Sequence, residues 1–144
     1  MIILDTTILV YALGSEHPAR EPSRRLLGSI RDGKIAGTTT LGVIQEFVHV
    51  FSRRRPRATA TAHARRYSVG LAPLAVTSPA ELEPGLRLFE RHDRLGAFDA
   101  LLAATALAAS ADALVSADKS FAGIRGLRHI APGTPEFERL LGSP

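Results

Sequence analysis

Residues 1–13 read MIILDTTILVYAL, and residues 113–118 read ALVSAD. The two stretches share a pattern. A short, mostly apolar run (Ile2 to Leu4 in one, Ala113 to Ser116 in the other) shows no polar alternation. That is how a strand buried on both faces reads. An acid follows each run: Asp5 directly after the first, Asp118 two residues after the second strand. Further short strands are predicted at Ile35–Thr38, Leu74–Thr77 and Arg128–Ile130. Helical patterns separate them, so the chain is expected to be an α/β domain with about five short parallel strands and helices on both faces. Such sheets bind ligands beyond the carboxyl ends of their strands.

The helices are placed by spacing and capping. Thr6 to Leu13 turns into a helix that Asp5 or Thr6 is able to cap. His17 to Arg31 is predicted helical, with Leu26, Leu27 and Ile30 on one face and Gly33 as a stop. A helix from Thr40 to about Arg55 carries the stripe Leu41, Ile44, Phe47, Val48 and Phe51 and ends before Pro56. Arg57 to Val69 follows as another. Pro79 to Leu95 has Ser78 as its cap and Pro79 at its first position. Asp99 to Ala111 is rich enough in alanine to lie close to a sheet.

The chain has 144 residues, the length of one domain, and its 45% hydrophobic and 22% charged content is ordinary globular material. There is no cysteine, which excludes disulfide scaffolds, thiolate zinc sites, iron–sulfur clusters and cysteine nucleophiles. The first apolar run meets Asp5 with no basic region before it, and the longest weakly polar stretch, 100–109, is too short for a bilayer. A cytoplasmic protein without a membrane partner is expected. The net charge is +4, and the basic excess lies in the first half, as expected for an anionic partner or for an arginine-rich composition without function.

Four acids fall where the pattern puts a ligand. Asp5 and Asp118 lie at the carboxyl-end edge of the sheet, Asp99 begins the alanine-rich helix, and Glu46 sits within a mostly apolar one, with Val43 and Val50 on its side. Each has a purely structural reading: Asp5 and Asp99 as helix caps, Asp118 as a turn residue, Glu46 as a carboxylate that reaches the rim or is paired. Together they suit Mg²⁺ or Mn²⁺, hard ions that take oxygen ligands, offset carboxylate repulsion and activate water.

The ordered segments Ile3 to Ala12, Thr39-Thr40-Leu41 through Gln45-Glu46-Phe47, Phe98 to Ala106, and Leu114 to Phe121 resemble a PIN domain, specifically the toxin ribonucleases of the VapC type, over roughly the whole chain. The resemblance implies a PIN-like fold and a Mg²⁺- or Mn²⁺-dependent endoribonuclease, with Asp5, Glu46, Asp99 and Asp118 as the metal-binding, catalytic acids. It implies hydrolysis of an RNA phosphodiester by an activated water, a homodimer, and a silencing partner, a VapB-type antitoxin. Ser116 matches the small hydroxyl residue that accompanies the fourth acid, placed to hold a carboxylate or a water. Thr7 stands where many members carry Asn, so the contact that Asn makes has only a hydroxyl to replace it.

Arg53, Arg54, Arg55 and Arg57 form a basic run without acids. An RNA backbone clamp, a solvated helix end and an antitoxin contact are all open readings. The histidines at 17, 49, 63, 92 and 129 show no metal-binding spacing, and His49 falls one turn from Glu46. Tyr11 and Phe98 read as core or dimer-face residues, with base stacking a weaker alternative. P-loop and G-x-S-x-G motifs are absent. The alternative function is a PIN-fold protein that binds RNA or a partner without turnover.

Overall fold

The computed structural model describes residues 1–142. Four parallel strands form one sheet in the order β2-β1-β3-β4. They are β1 (Ile2–Leu4), β2 (Gly37–Thr38), β3 (Ala113–Val115) and β4 (His129–Ile130). Every residue of β1 and β3 is buried, which explains their unbroken apolar character: side chains alternate between faces and both faces are covered. Around them lie α1 (Thr6–Leu13), α2 (Arg20–Arg31), α3 (Leu41–Phe51), α4 (Arg57–Gly70), α5 (Leu82–Arg91), α6 (Ala97–Ala108) and α7 (Pro135–Leu140). Phe47, Phe121 and Phe137 are the largest fully buried side chains.

The register positions the site. Leu4 of β1 pairs with Val115 of β3, so Asp5 and Ser116, the next residue on each strand, emerge side by side at one edge. The Asp5 N–H donates to the Val115 carbonyl at 3.0 Å, holding the two strand ends together. Beside them, the Thr39 hydroxyl donates to the Leu4 carbonyl at 2.7 Å. That bond fixes the exit from β2, from which Thr40 caps α3 by accepting from the Val43 N–H.

Several boundaries differ from the sequence expectation, each for a local reason. Leu74–Thr77 forms no strand; it makes a single parallel bridge between Ala75 and Thr40. The Thr38 hydroxyl holds the incoming segment through the Leu71 and Pro73 carbonyls, and Val76 is 81% exposed, so no ladder continues. The sheet therefore has four strands instead of about five. In the second predicted strand only Gly37 and Thr38 are paired.

α2 starts at Arg20 because the His17 ring accepts from the Ala19 N–H at 3.1 Å, which closes a local turn. α3 stops at Phe51, and the next turn tightens through three-residue bonds, Arg53 N–H to Val50 O and Arg54 N–H to Phe51 O. Pro56 disfavours helix in the residue before it. Within the stripe, Phe47 is fully buried while Leu41, the first helical residue, is 71% exposed; Val43, predicted on Glu46's side, is fully buried as well. The helix predicted over 79–95 begins as a 3₁₀ turn at Pro79–Glu81, closed by a reciprocal Ser78–Glu81 capping box, and ends as α5 at Arg91. α6 begins at Ala97 with Gly96 as its cap, so Asp99 lies inside the first turn and is not a cap. Its alanines 100, 103, 104 and 106 are buried, as the close approach requires. α7 and a 3₁₀ turn at Lys119–Phe121 lie outside the predicted elements.

Candidate active site

Asp5 is 2% exposed and caps α1, as its capping reading expects. One of its oxygens, Oδ2, takes three hydrogen bonds: from the Thr7 N–H at 3.3 Å, the Thr7 hydroxyl at 2.8 Å and the Ser116 hydroxyl at 2.7 Å. No described residue donates to Oδ1. One oxygen thus anchors the carboxylate and the other is left for a ligand.

The same two hydroxyls brace the far side of the site. Ser116 Oγ accepts from the Asp118 N–H at 2.9 Å, and Thr7 Oγ1 accepts from the Ala117 N–H at 3.0 Å. Each hydroxyl has a single proton and directs it at Asp5, so each lone pair is available to the loop after β3. Thr7 therefore ties the first turn of α1 to that loop with one hydroxyl. Ser116, fully buried, links Asp5 to the backbone of Asp118.

Glu46 lies midway along α3 and half-buried. It is paired, and its partner is a residue that sequence reasoning missed: the Thr6 hydroxyl donates to Glu46 Oε2. The signal was the doublet Thr6-Thr7, whose hydroxyls diverge from one helical turn to two different carboxylates. Val50, one turn beyond Glu46, lines the same cleft.

Asp99, in the first turn of α6, has no hydrogen-bond donor among the described residues. Burial, and then the charges of Asp5, Glu46 and Asp118, push its pKa up to about 7. A carboxylate with neither donor nor cation holds its proton to neutral pH because ionising it adds repulsion in a partly desolvated place. Oxygen atoms of Asp5, Glu46 and Asp99 all lie within 4.8 Å of one another. Asp118 stands outside this triad. It caps the 3₁₀ turn by accepting from the Ser120 N–H at 2.8 Å, as its turn reading requires, and it also lines the cleft.

The cleft holds about 290 Å³. Asp5, Thr6, Thr7, Glu46, Asp99 and Asp118 make its polar part, and Val10, Tyr11 and Val50 its apolar wall. None of the four acids has a cationic partner among the described residues. Arginines pair elsewhere, on the surface: Arg24 with Glu21, Arg87 with Glu83, Arg128 with Glu136. An all-oxygen donor set with no histidine, and with its negative charge unbalanced, fits a hard divalent ion.

Arg53, Arg54, Arg55 and Arg57 are exposed and have no carboxylate partner among the described residues. They follow closely in sequence on Val50, which lines the cleft. His49 engages Arg53, with 3.1 Å between ring and guanidinium, and forms no bond with Glu46. His129 meets the Ser116 carbonyl at 2.9 Å. Phe98 is 38% exposed and, with Leu41 and Val76, lines a second, apolar cleft. Tyr11 lies outside the hydrophobic core, on the wall of the acidic cleft.

Comparison with known proteins agrees with this architecture. The PIN domain family matches residues 2–127. Ribonuclease VapC7 of Mycobacterium tuberculosis is 48% identical over 150 aligned positions, covering 99% of each chain. Among solved structures, VapBC2 from Rickettsia felis bound to a DNA fragment from its promoter contains a chain with the same fold. The TM-score is 0.71 at 19% identity, over 91% of this chain and 98% of that one.

Proposed function

The chain belongs to the PIN domain family, and from that premise we propose that it is a Mg²⁺- or Mn²⁺-dependent endoribonuclease, the toxin of a toxin–antitoxin pair. The observation that carries the reading is the convergence of carboxylate oxygens of Asp5, Glu46 and Asp99 within 4.8 Å of one another, with no cationic side chain paired to them among the described residues. The 48% identity to a ribonuclease over nearly the full chain supports it.

Asp5 Oδ1, Glu46 and Asp99 would hold the ion, with Asp118 at the margin completing the acidic set. A divalent ion in such a site stabilises the charge of the phosphoryl transition state and activates water at neutral pH. The protein's own residues do the rest. Thr7 and Ser116 fix the Asp5 carboxylate in one orientation, Thr6 fixes Glu46, and the half-buried setting keeps the carboxylates from being solvated apart. Asp99, protonated near neutrality without a cation, would be a ligand in its ionised form. The arginines at 53, 54, 55 and 57 bind the RNA backbone beside the cleft; their lack of acidic partners supports this role.

Two partners accompany the reading. A VapB-type antitoxin is supported by the VapBC complex among the structural neighbours. A homodimer is supported by exposed apolar side chains on one helix, Leu82, Leu86 and Phe89 of α5, and by Leu41 and Val76. No helix among the described residues is long and apolar enough to cross a membrane.

The test is cleavage of total RNA by purified, antitoxin-free protein with Mn²⁺, Mg²⁺ or EDTA, beside Asp5→Asn. Discrete products that need the metal and vanish in the variant are expected. Metal binding and RNA binding without any cleavage would favour the non-catalytic alternative.

A further inference from the structure

Tyr11 is an unusual wall for an acidic cleft. It stands one helical turn from Thr7, about 6 Å further along α1. It faces the cleft beside Val10 and Val50, outside the hydrophobic core. Its hydroxyl has no partner among the described residues, so no buried hydrogen bond accounts for the choice of tyrosine. The contrast is with the half-buried Tyr67, whose hydroxyl donates to the Leu9 carbonyl at 2.8 Å.

The Tyr11 ring is also held still. The His17 imidazole stacks on it with centroids 4.1 Å apart and planes 8° from parallel. His17 is in turn fixed by its Nδ1, which accepts from the Ala19 N–H at 3.1 Å. That bond leaves the ring proton on Nε2 in the neutral form. An aromatic ring held by a stacked neighbour on one face and lining the acidic cleft has the makings of a stacking platform. Its position suits a nucleotide whose neighbouring phosphate lies over Asp5, Glu46 and Asp99. The arginines after Val50, which have no carboxylate partner among the described residues, supply the charge that holds a backbone there.

We propose that Tyr11, backed by His17, stacks on a base of single-stranded RNA next to the scissile phosphate, and so sets which unpaired segments the enzyme accepts. The inference rests on the ribonuclease reading. Tyr11 is the binding residue and His17 the residue that positions it. Stacking on one ring is tolerant of base identity but requires a base that is not paired within a helix.

The chain has no tryptophan, so Tyr11→Trp places a single reporter at the platform while keeping an aromatic face. On an Asp5→Asn background, which removes cleavage, this protein is titrated with oligoadenylate and with an abasic ribose-phosphate oligomer of equal length. Quenching by oligoadenylate alone is expected. Tyr11→Ala should weaken oligoadenylate binding about 5- to 150-fold, the equivalent of ~1–3 kcal/mol for one base–aromatic stack, and leave the abasic oligomer unaffected. Tyr11→Phe should stay within about threefold, and His17→Ala should fall between the two.

With Asp5 intact, the metal-induced rise in melting temperature should be the same in Tyr11→Ala as in the wild type, which separates a lost platform from a lost fold. Equal quenching by both oligomers, or unchanged affinity in Tyr11→Ala, would overturn the proposal while wild-type cleavage keeps the ribonuclease reading. An effect of Tyr11→Ala confined to an antitoxin peptide would do the same. Wild-type protein that binds metal but neither binds nor cleaves RNA would overturn both.

Discussion

Asp99→Asn should make the metal-free protein more stable while destroying its site. In the folded protein the Asp99 pKa is raised from 3.8 to about 7. At about 1.4 kcal/mol per unit, that shift sets a ceiling of about 4 kcal/mol on the cost of holding the charged carboxylate there. The cleft is open to solvent, and screening brings the expectation to about 2 kcal/mol. Losing a negative charge in the first turn of α6 opposes the gain by about 0.3–1 kcal/mol. Burial and repulsion win, leaving a net gain of about 1–1.5 kcal/mol, or a melting temperature higher by about 3–6 °C.

The pH dependence has a definite sign. A carboxyl group whose folded pKa lies above its unfolded value carries its full cost above the folded value. That cost shrinks as pH falls through about 7 and is gone below about 3.8. The variant's advantage should therefore be complete at pH 8, smaller at pH 6 and absent near pH 3.5. The assay is thermal unfolding in EDTA across that range, repeated with Mn²⁺, which should stabilise the wild type and not the variant. A variant that melts at or below the wild type in EDTA at pH 8 would refute the reasoning, since Asp99 would then be a stabilising residue.

Other substitutions address the rest of the site. Ser116→Ala removes a donor from Asp5 and leaves the Asp118 N–H without its acceptor. It should cost about 1–3 kcal/mol in chemical denaturation and weaken Mn²⁺ binding. Thr6→Val keeps the shape of the side chain and deletes the bond to Glu46, so RNA cleavage should fall while the circular dichroism spectrum is unchanged. Because Asp99 takes its proton near neutrality, Mn²⁺ affinity should drop toward tenfold per pH unit below about 7 and level off above it. Calorimetry in buffers of different ionisation enthalpy should detect proton release at pH 7. Replacing Arg53, Arg54 and Arg55 with alanine should reduce the slope of log K against log salt by up to about 2 for single-stranded RNA.

Much of this was legible before any coordinates, because the features are local. The apolar run Ile2–Leu4 before Asp5 reads as a buried strand that ends in an acid, and Ala113–Val115 is a similar run with its acid, Asp118, three residues on. Parallel pairing of two such strands then forces Asp5 and Ser116 together. What the sequence did not disclose depends on which neighbour a side chain meets. Whether Glu46 would be paired, and by what, was settled by a hydroxyl 40 residues away in the chain. Leu74–Thr77 has the composition of a strand but only one bridging residue, with Val76 beyond it turned out to solvent. Asp99 reads as a cap or as a ligand, and the start of α6 at Ala97 with Gly96 as its cap removes the first of these. The stacked pair of Tyr11 and His17 joins residues on either side of a turn that periodicity does not resolve.

The most direct test of the account is where a cation binds. Anomalous diffraction from crystals grown with Mn²⁺ should show an ion held by Asp5 through Oδ1, together with the carboxylates of Glu46 and Asp99, and none in crystals of Asp5→Asn. Well-ordered Mn²⁺ elsewhere, with these three carboxylates left protonated or solvated, would contradict it.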